Sequence, residues 1–170
     1  SIWDEFCERP GAIANGDTGR RACDHYHRVD EDLDLLARLG ARAYRFSIAW
    51  PRVFPEGRGR LNEPGLDFYD RLVDGLLARG IEPMATCYHW DLPLALEKEG
   101  GWRARRVAED FAAYSGALAR RLGDRVALWA TINEPTVVAL LGYKFGIHAP
   151  GACEPEKTVR QVFHHLHLGH

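Results

Sequence analysis

A three-part pattern recurs along the chain: a segment with helical periodicity, a glycine, and a short apolar run. The glycines are Gly40, Gly80 and Gly123, about 40 residues apart. A period of this size indicates that one supersecondary unit repeats. Because helical and strand-like segments alternate, the pattern predicts parallel strands joined by crossover helices. This restricts the chain to the α/β folds.

The segment before each glycine carries apolar residues at the three- and four-residue spacing of a buried helix face. The glycine then predicts the end of the helix, because it adopts the left-handed conformation of a C′ residue without strain. The run after each glycine is mostly apolar on both faces, which is typical of a strand covered by helices. The helical stripes are Val29, Leu33, Leu36 and Leu39; Leu66, Tyr69, Leu72, Val73 and Leu76; and Val107, Phe111, Tyr114, Leu118 and Leu122.

Two architectures fit this alternation, a doubly wound sheet and a (β/α)8 barrel. No strand-like run is followed by a G-x-G-x-x-G or G-x-x-x-x-G-K-[ST] loop, which weakens a nucleotide-binding fold. In a barrel the chemistry lies at the C-terminal ends of the strands. The residues that follow each strand-like run are therefore the candidates for a functional site.

The composition excludes several classes of protein. Hydrophobic residues make up 46% of the chain and charged residues 27%, as in a globular protein with a core. A formal net charge of -2 disfavours a nucleic acid or an anionic membrane as a partner. No apolar run approaches the roughly 18 residues of a membrane span. The four cysteines form no C-x-x-C pair, so we expect reduced thiols, with Cys87 buried, in a cytoplasmic protein.

Polar and aromatic residues follow each strand-like run. Indole faces stack on the apolar faces of sugar rings, while imidazole, amide and carboxylate groups bond hydroxyl groups in a fixed geometry. No serine or cysteine pairs with a base at these positions, and no metal-type cluster occurs there. A neutral polyol is therefore the ligand that the set predicts. Its members are Arg45, Trp50, His89, Trp90, Asn133 and Glu134.

Glu134 is the strongest catalytic candidate in this set. It follows a buried strand, and Pro135 cannot continue the strand ladder. Desolvation in such a site raises a carboxyl pKa, as a general acid requires, whereas the alternative is a structural salt bridge. For His89, an imidazole satisfied within the core is the alternative to ligand contact. Arg45 lies in mid-strand and needs a carboxylate partner, yet the chain offers no obvious one.

Two histidine-rich segments raise the question of a metal site. His164 and His167 share a helix face, but no cysteine or acidic residue lies at ligand spacing nearby. Residues 24–27, with the sequence Asp-His-Tyr-His, are expected to fix the loop that leads into the first helix. We therefore expect no metal at either place.

Longer motifs include the candidate residues or lie elsewhere along the chain. They are Ser1-Ile2-Trp3-Asp4, Asn15-Gly16-Asp17-Thr18-Gly19, Cys23-Asp24-His25-Tyr26-His27-Arg28, Tyr44-Arg45-Phe46-Ser47-Ile48 with Trp50-Pro51-Arg52, Tyr88-His89-Trp90-Asp91-Leu92-Pro93, Thr131-Ile132-Asn133-Glu134-Pro135 and His148-Ala149-Pro150-Gly151. Together, and in this order, they resemble the motifs of glycoside hydrolase family 1, the β-glucosidase family. The resemblance runs from one end of the chain to the other.

The resemblance implies a (β/α)8 barrel and retaining hydrolysis of β-linked glucosides or galactosides, without a metal or cofactor. Its partner is then a small carbohydrate substrate. Glu134 is similar to the family's acid/base, and Arg45 is similar to the arginine that pairs with the nucleophile. By the same resemblance, Asn133 bonds the sugar 2-hydroxyl, His89 bonds the region of the 3-hydroxyl, and Trp90 walls the glycone pocket.

The chain departs from the family's pattern in several respects. The family's second carboxylate, in a Thr/Ile-Glu-Asn-Gly motif, has no counterpart here, and neither does its tryptophan-rich C-terminal segment. A strand with a sugar-binding glutamine precedes the matching region in the family. Thr136 stands where the family often has tryptophan, which bears on the aglycone side of the site.

We therefore expect residues 1–170 to form an incomplete (β/α)8 barrel, roughly its first half, with no second domain. A complete barrel needs about 250 residues, so the leading interpretation is part of a longer cytoplasmic β-glucosidase, inactive alone. One alternative is a sugar-binding module without a nucleophile. The other is a structural half-barrel that self-associates through its open edges.

Overall fold

The computed structural model describes residues 1–170 and contains three strands and eight α-helices. Short 3₁₀ helices cover Ala14–Gly16 and Gly101–Arg103, and a π-helix covers Val138–Lys144. The strands are β1 (Ala43–Ser47), β2 (Glu82–Tyr88) and β3 (Leu128–Ile132). The helices are α1 (Ile2–Cys7), α2 (Val29–Arg38), α3 (Trp50–Val53), α4 (Glu63–Ala78), α5 (Leu94–Lys98), α6 (Arg106–Leu122), α7 (Pro135–Val137) and α8 (Glu156–Gly169).

The three strands form one parallel sheet in the order β1-β2-β3. Ala43 is in register with Glu82, and Met84 is in register with Leu128. The long helix α4 lies between β1 and β2 in the chain, and α6 lies between β2 and β3. The predicted arrangement of parallel strands and crossover helices is therefore confirmed.

The helices end at the predicted glycines, with one difference in conformation. Gly40 and Gly80 have φ of 72° and 68°, the left-handed conformation expected after α2 and α4. The same prediction for Gly123 is wrong, because its φ is -68°. The chain keeps turning past this glycine, since the N–H of Val126 donates to the carbonyl oxygen of Leu122 at 2.9 Å.

The core lies between the sheet and the helices that cover it. The predicted stripes supply much of it, and Leu33, Leu72 and Leu118 are fully buried. Leu39, the last residue of its stripe, is instead 81% exposed. Burial of each large apolar side chain contributes about 1.5–3 kcal/mol to stability.

β1 and β3 are both edge strands, because each pairs only with β2. Apolar side chains are exposed on or near them, including Leu128 on β3, Leu35 on α2 and Leu39 just after α2. An unpaired strand edge is a template for pairing with another strand. Self-association through these edges therefore has a structural basis, and it stays a prediction.

Two further expectations concern cysteines and membrane spans. All four cysteines are free thiols, and Cys87 is buried as predicted. Burial raises the pKa of the Cys87 thiol to about 11, so the group stays protonated and unreactive. None of the helices combines the length and apolar character that crossing a bilayer requires.

Candidate active site

The sheet register brings the ends of β2 and β3 to one edge. Tyr88 is in register with Ile132, so His89 and Asn133 are the first residues beyond two neighbouring strands. The backbone N–H of Asn133 donates to the carbonyl oxygen of Tyr88 at 2.9 Å and fixes these ends together. Residues 44 positions apart in sequence thus become neighbours.

Arg45, Asn133 and His89 form a hydrogen-bonded chain across all three strands. Arg45 on β1 donates from Nη2 to Asn133 Oδ1 at 2.7 Å, and Asn133 Nδ2 lies 3.3 Å from His89 Nε2. Arg45 also donates from Nε to Thr86 Oγ1 on β2 at 2.9 Å. The structure therefore brings three of the predicted site residues into direct contact.

These contacts define the protonation state of His89. A guanidinium has only donors, so Arg45 requires the oxygen of the Asn133 amide to face it, which turns the amide N–H₂ toward His89. Nε2 of His89 then accepts a hydrogen bond, and the neutral ring carries its proton on Nδ1. Partial desolvation and the charge of Arg45 lower the pKa of His89, against an opposing effect of Glu134. The geometry and the charges both favour a neutral imidazole.

Arg45 is exposed and forms no ion pair with any acid of residues 1–170. Its hydrogen-bond acceptors are neutral oxygens of a hydroxyl and an amide. Thr86, which supplies the hydroxyl, is fully buried in mid-strand, and sequence reasoning missed it. A threonine in an apolar strand carries no signal that distinguishes a partner of arginine from a β-forming residue.

Glu134 begins a new helical segment immediately after the strand. The stop predicted from Pro135 is confirmed, because β3 ends at Ile132 and α7 begins at the proline. The carbonyl oxygen of Glu134 accepts the N–H of Val138 at 3.1 Å. The expected desolvation is wrong for this chain: the Glu134 side chain is exposed, since strands β1 to β3 form only one wall of the site. It takes no part in the chain's salt bridges, so the structural alternative is not formed either.

Two of the predicted site residues have strained backbones. Trp90 has φ of 80° and Glu134 has φ of 46°, and only five non-glycine residues of the chain have positive φ. Such conformations cost about 1–3 kcal/mol each and concentrate at functional sites. No sequence pattern indicated them, because neither residue type favours the left-handed region.

Trp90 is held in a cluster of three rings. Its Nε1 donates to the carbonyl oxygen of Asn133 at 2.9 Å. Trp3 stacks on it with ring centroids 6.5 Å apart, and the His148 ring lies 5.4 Å from it. The sequence indicates Trp3 and His148 only as members of motifs, and a motif does not assign a contact. The cluster fixes the orientation of an indole that the sequence could only place at a strand end.

Trp50 does not belong to the site, so its inclusion among the strand-end residues is wrong. It is fully buried, stacks on Tyr114 at 4.9 Å, and donates from Nε1 to the carbonyl oxygen of Gly57 at 2.9 Å. The chain turns into α3 at Trp50 and directs this indole into the core. The repeat aligns Trp50 with Trp90, but the helix that follows β1 gives the two side chains opposite environments.

Asp91, next to Trp90, is an acidic group that sequence reasoning did not single out. Its Oδ1 is buried and has no hydrogen-bond partner. Burial raises the pKa of the carboxyl to about 6, although nearby backbone N–H groups and the charge of Arg52 oppose this effect. Burial thus brings the pKa of Asp91, two residues after His89, closer to neutral pH.

The histidine-rich segments serve other contacts. Among residues 1–170, no group of three His, Cys, Asp or Glu side chains has an arrangement suited to a metal ion. His25 Nδ1 lies 2.5 Å from Asp32 Oδ2, which ties the preceding loop to α2 as expected. His164 is exposed, while His167 Nδ1 lies 2.7 Å from the carbonyl oxygen of Phe163 within α8.

A cleft of about 380 Å³ extends from Arg45, Thr86 and His89 along β1 toward α4. Arg52 and His25 also line it, and none of its lining residues is acidic. A cleft with basic walls favours an acidic or neutral polar group over a cation.

Comparison with known proteins covers the whole chain, including the site residues described above. The model of glycosyl hydrolase family 1 matches residues 1–170. The chain belongs to glycosyl hydrolase family 1. Among curated relatives, β-glucosidase A of Thermotoga maritima is 53% identical over 170 residues, which is 100% of this chain and 38% of that protein. Thermostable β-glucosidase B of Thermobispora bispora is 56% identical over 169 residues, or 99% of this chain and 35% of that protein.

Solved structures give the same result for the fold. The family 1 β-glucosidase from Thermotoga maritima matches with a TM-score of 0.98 at 52% identity and covers 100% of this chain and 39% of its own. The same enzyme in complex with glucoimidazole also matches with a TM-score of 0.98. The predicted partial (β/α)8 barrel is therefore confirmed. The chain spans somewhat more than a third of the length of the relatives it matches, 38% for the first of them.

Proposed function

We propose that residues 1–170 form the acid/base side of the active site of a retaining β-glycosidase. The observation that carries this proposal is the hydrogen-bonded chain from Arg45 through Asn133 to His89, with Glu134 directly following. It gathers a cation, an amide, a neutral imidazole and a carboxylate at one edge of the sheet. Family membership and the names of the β-glucosidase relatives support the same reaction.

In the first step, Glu134 donates its proton to the glycosidic oxygen as the bond to the anomeric carbon breaks. A second carboxylate attacks the anomeric carbon and forms a covalent glycosyl intermediate. In the second step, the Glu134 carboxylate takes a proton from water, and that water displaces the second carboxylate. Exposure of Glu134 in this chain leaves its carboxyl open to both the leaving group and water.

The second carboxylate, in this proposal, comes from outside residues 1–170. Arg45 supports this assignment, because its guanidinium is directed at the site and has only neutral acceptors within the chain. An incoming carboxylate gives the arginine the charged partner that it lacks. We refer below to the longer protein that contains residues 1–170 and this carboxylate as the complete enzyme.

The substrate class follows from the donors and acceptors that remain free. Asn133 keeps one amide hydrogen and one oxygen lone pair after its bonds to Arg45 and His89, which suits a sugar hydroxyl. His89 presents a neutral ring, and Trp90 presents an indole held in place by Trp3. We infer that the glycone is a neutral sugar such as β-linked glucose or galactose.

The test of this proposal is Glu134→Ala in the complete enzyme, measured on substrates with different leaving groups. General acid catalysis is worth about 100- to 10,000-fold, and an activated phenolate needs little protonation. We expect a loss in this range for alkyl β-glucosides and a much smaller loss of the glycosylation rate for dinitrophenyl β-glucoside. Added azide is expected to accelerate the second step, because a small anion attacks the intermediate without a general base.

Two controls are needed to interpret the effect of Glu134→Ala. Glu109→Ala removes another exposed glutamate of the same chain, one that forms no ion pair, and is expected to show no dependence on the leaving group. Circular dichroism confirms that both variants are folded. Equal impairment of all substrates by Glu134→Ala in a folded protein, without azide rescue, would remove Glu134 from the acid/base role.

A further inference from the structure

A second set of polar contacts joins the segment after β2 to the helix after β3. Arg103 donates from Nη1 to Glu97 Oε1 at 2.7 Å, and the hydroxyl of Tyr143 donates to Glu97 Oε2 at 2.8 Å. Glu97 lies on α5, whereas Tyr143 lies on the π-helix that follows α7. We call Glu97, Arg103 and Tyr143 the inter-loop clamp. None of the three is among the sugar-binding or catalytic candidates.

The clamp is largely buried, and its three side chains are paired with one another or with neighbouring groups. Tyr143 is fully buried, and the side chains of Glu97 and Arg103 are 13% and 26% exposed. The guanidinium of Arg103 lies 4.8 Å from the centre of the Tyr143 ring, and its Nε donates to Glu154 at 2.6 Å. Burial and the charge of Glu97 raise the pKa of Tyr143, so the hydroxyl remains a donor. A largely buried network of paired polar groups such as this one favours a single geometry.

Gly101 shows how closely the clamp is packed. Its φ is 53°, and a Cβ at this position would lie 2.1 Å from Glu97 Oε2 and 2.9 Å from the hydroxyl oxygen of Tyr143. Any side chain here would therefore push the carboxylate and the phenol apart. The glycine leaves the space in which these two groups meet.

The helical segment that the clamp holds begins at Glu134. The Glu134 carbonyl oxygen accepts the N–H of Val138, the first residue of the π-helix, and Tyr143 is the next-to-last residue of that helix. The N–H of Glu154 donates to the carbonyl oxygen of Tyr143 at 2.7 Å and secures the far end. π-Helical turns are rare and often lie at functional sites. The segment from Glu134 to Tyr143 thus has one end in the active site and the other in the clamp.

We propose that the inter-loop clamp positions Glu134 for general acid catalysis. The clamp links this helical segment to α5, which follows the turn that carries His89 and Trp90. It thereby fixes the Glu134 carboxyl relative to the sugar-binding residues, against the backbone strain at Glu134 itself. This inference rests on the proposed function of Glu134. Because a displacement of about 1 Å costs about 100-fold in rate, loss of the clamp impairs proton donation without removing the acid.

The experiment is Tyr143→Phe in the complete enzyme, which removes one hydroxyl and keeps the buried ring. We expect kcat for alkyl β-glucosides to fall about 10- to 100-fold, while the glycosylation rate for dinitrophenyl β-glucoside changes less than about threefold. Glu97→Gln, which keeps the size but removes the charge, is expected to show the same dependence on the leaving group. The matched control is Tyr114→Phe, because the Tyr114 ring is also fully buried and its hydroxyl also donates, to the carbonyl oxygens of Ile48 and Cys87. We expect it to show no dependence on the leaving group.

The outcomes separate this inference from the proposed function. If Glu134→Ala discriminates between leaving groups and Tyr143→Phe does not, the clamp has no positioning role and the inference is wrong. If Glu134→Ala slows substrates with good and poor leaving groups equally, the proposed function of Glu134 is itself wrong. If Tyr143→Phe and Tyr114→Phe lower the melting temperature equally and slow all substrates equally, Tyr143 is structural only, and the inference is again wrong.

Discussion

Replacement of Asp91 by asparagine is expected to stabilise the chain at neutral pH. Burial raises the pKa of this carboxyl from 3.8 to about 6, because desolvation disfavours the charged form, and its Oδ1 has no hydrogen-bond partner. The folded state therefore binds a proton more tightly than the unfolded state does. The stability of the chain decreases as pH rises from about 4 to about 6 and then stays at its lower level. An asparagine carries no charge and avoids this loss.

The size of the effect follows from the difference between the two pKa values. That difference corresponds to about 3 kcal/mol once both states are ionised. Asp91 keeps some contact with solvent, so we expect about 2 kcal/mol for Asp91→Asn at pH 7. For a chain of this length, 2 kcal/mol corresponds to a rise in melting temperature of roughly 4–8 °C.

The assay is thermal unfolding of the 170-residue chain and its variant at pH 4 and pH 7, at one fixed protein concentration. The concentration is fixed because association changes the apparent stability. Asp17→Asn is the control, since Asp17 is exposed and forms no ion pair, and we expect it to be neutral at both pH values. A gain for Asp91→Asn at pH 7 that disappears at pH 4 supports the argument. A loss of stability at pH 7, or an equal change at both pH values, would refute it.

Three other predictions follow from the same structure. Asp70 on α4 pairs with Arg121 on α6 and with Arg125 just after it, so Asp70→Asn is expected to lower the free energy of unfolding by about 1 kcal/mol, and by less at high salt. Denaturant titration measures this change, and Asp74→Asn, at a more exposed partner of Arg125, is the near-neutral control. The purified 170-residue chain is expected to have no activity on aryl β-glucosides, because a retaining mechanism needs two carboxyl groups about 5–5.5 Å apart; turnover above trace level that Glu134→Gln abolishes would contradict this. The chain is also expected to associate through the edges of β1 and β3, so sedimentation at several concentrations should show species larger than 19.2 kDa.

The fold was predictable because the signals for it are local. Apolar spacing identifies α2, α4 and α6, and a glycine with positive φ ends the first two, as at Gly40 and Gly80. Gly123 shows the limit of this reasoning, because a glycine also tolerates ordinary helical φ and the loop after α6 uses it that way. Local pattern gives the order of the elements, whereas the conformation at a helix end depends on what the chain packs against next.

The site was predictable where position along a strand decides the outcome. Register alone places His89 beside Asn133, and side-chain length lets Arg45 reach across β2. Contacts between distant segments were not predictable, as the stacking of Trp3 on Trp90 shows. The exposure of Glu134 also escaped prediction, because burial depends on walls that three strands do not supply.

The most direct test of the central claim is the configuration of the product that azide forms with Glu134→Ala in the complete enzyme. If Glu134 is the acid/base, azide attacks the glycosyl intermediate from the face that water uses, and the product is the β-glycosyl azide. If Glu134 is instead the nucleophile, azide replaces it on the opposite face, and the product is the α-glycosyl azide. Proton NMR distinguishes the two by the coupling constant of the anomeric hydrogen. The β-azide is the result we predict, and the α-azide, or no azide product from a folded variant, would contradict the account.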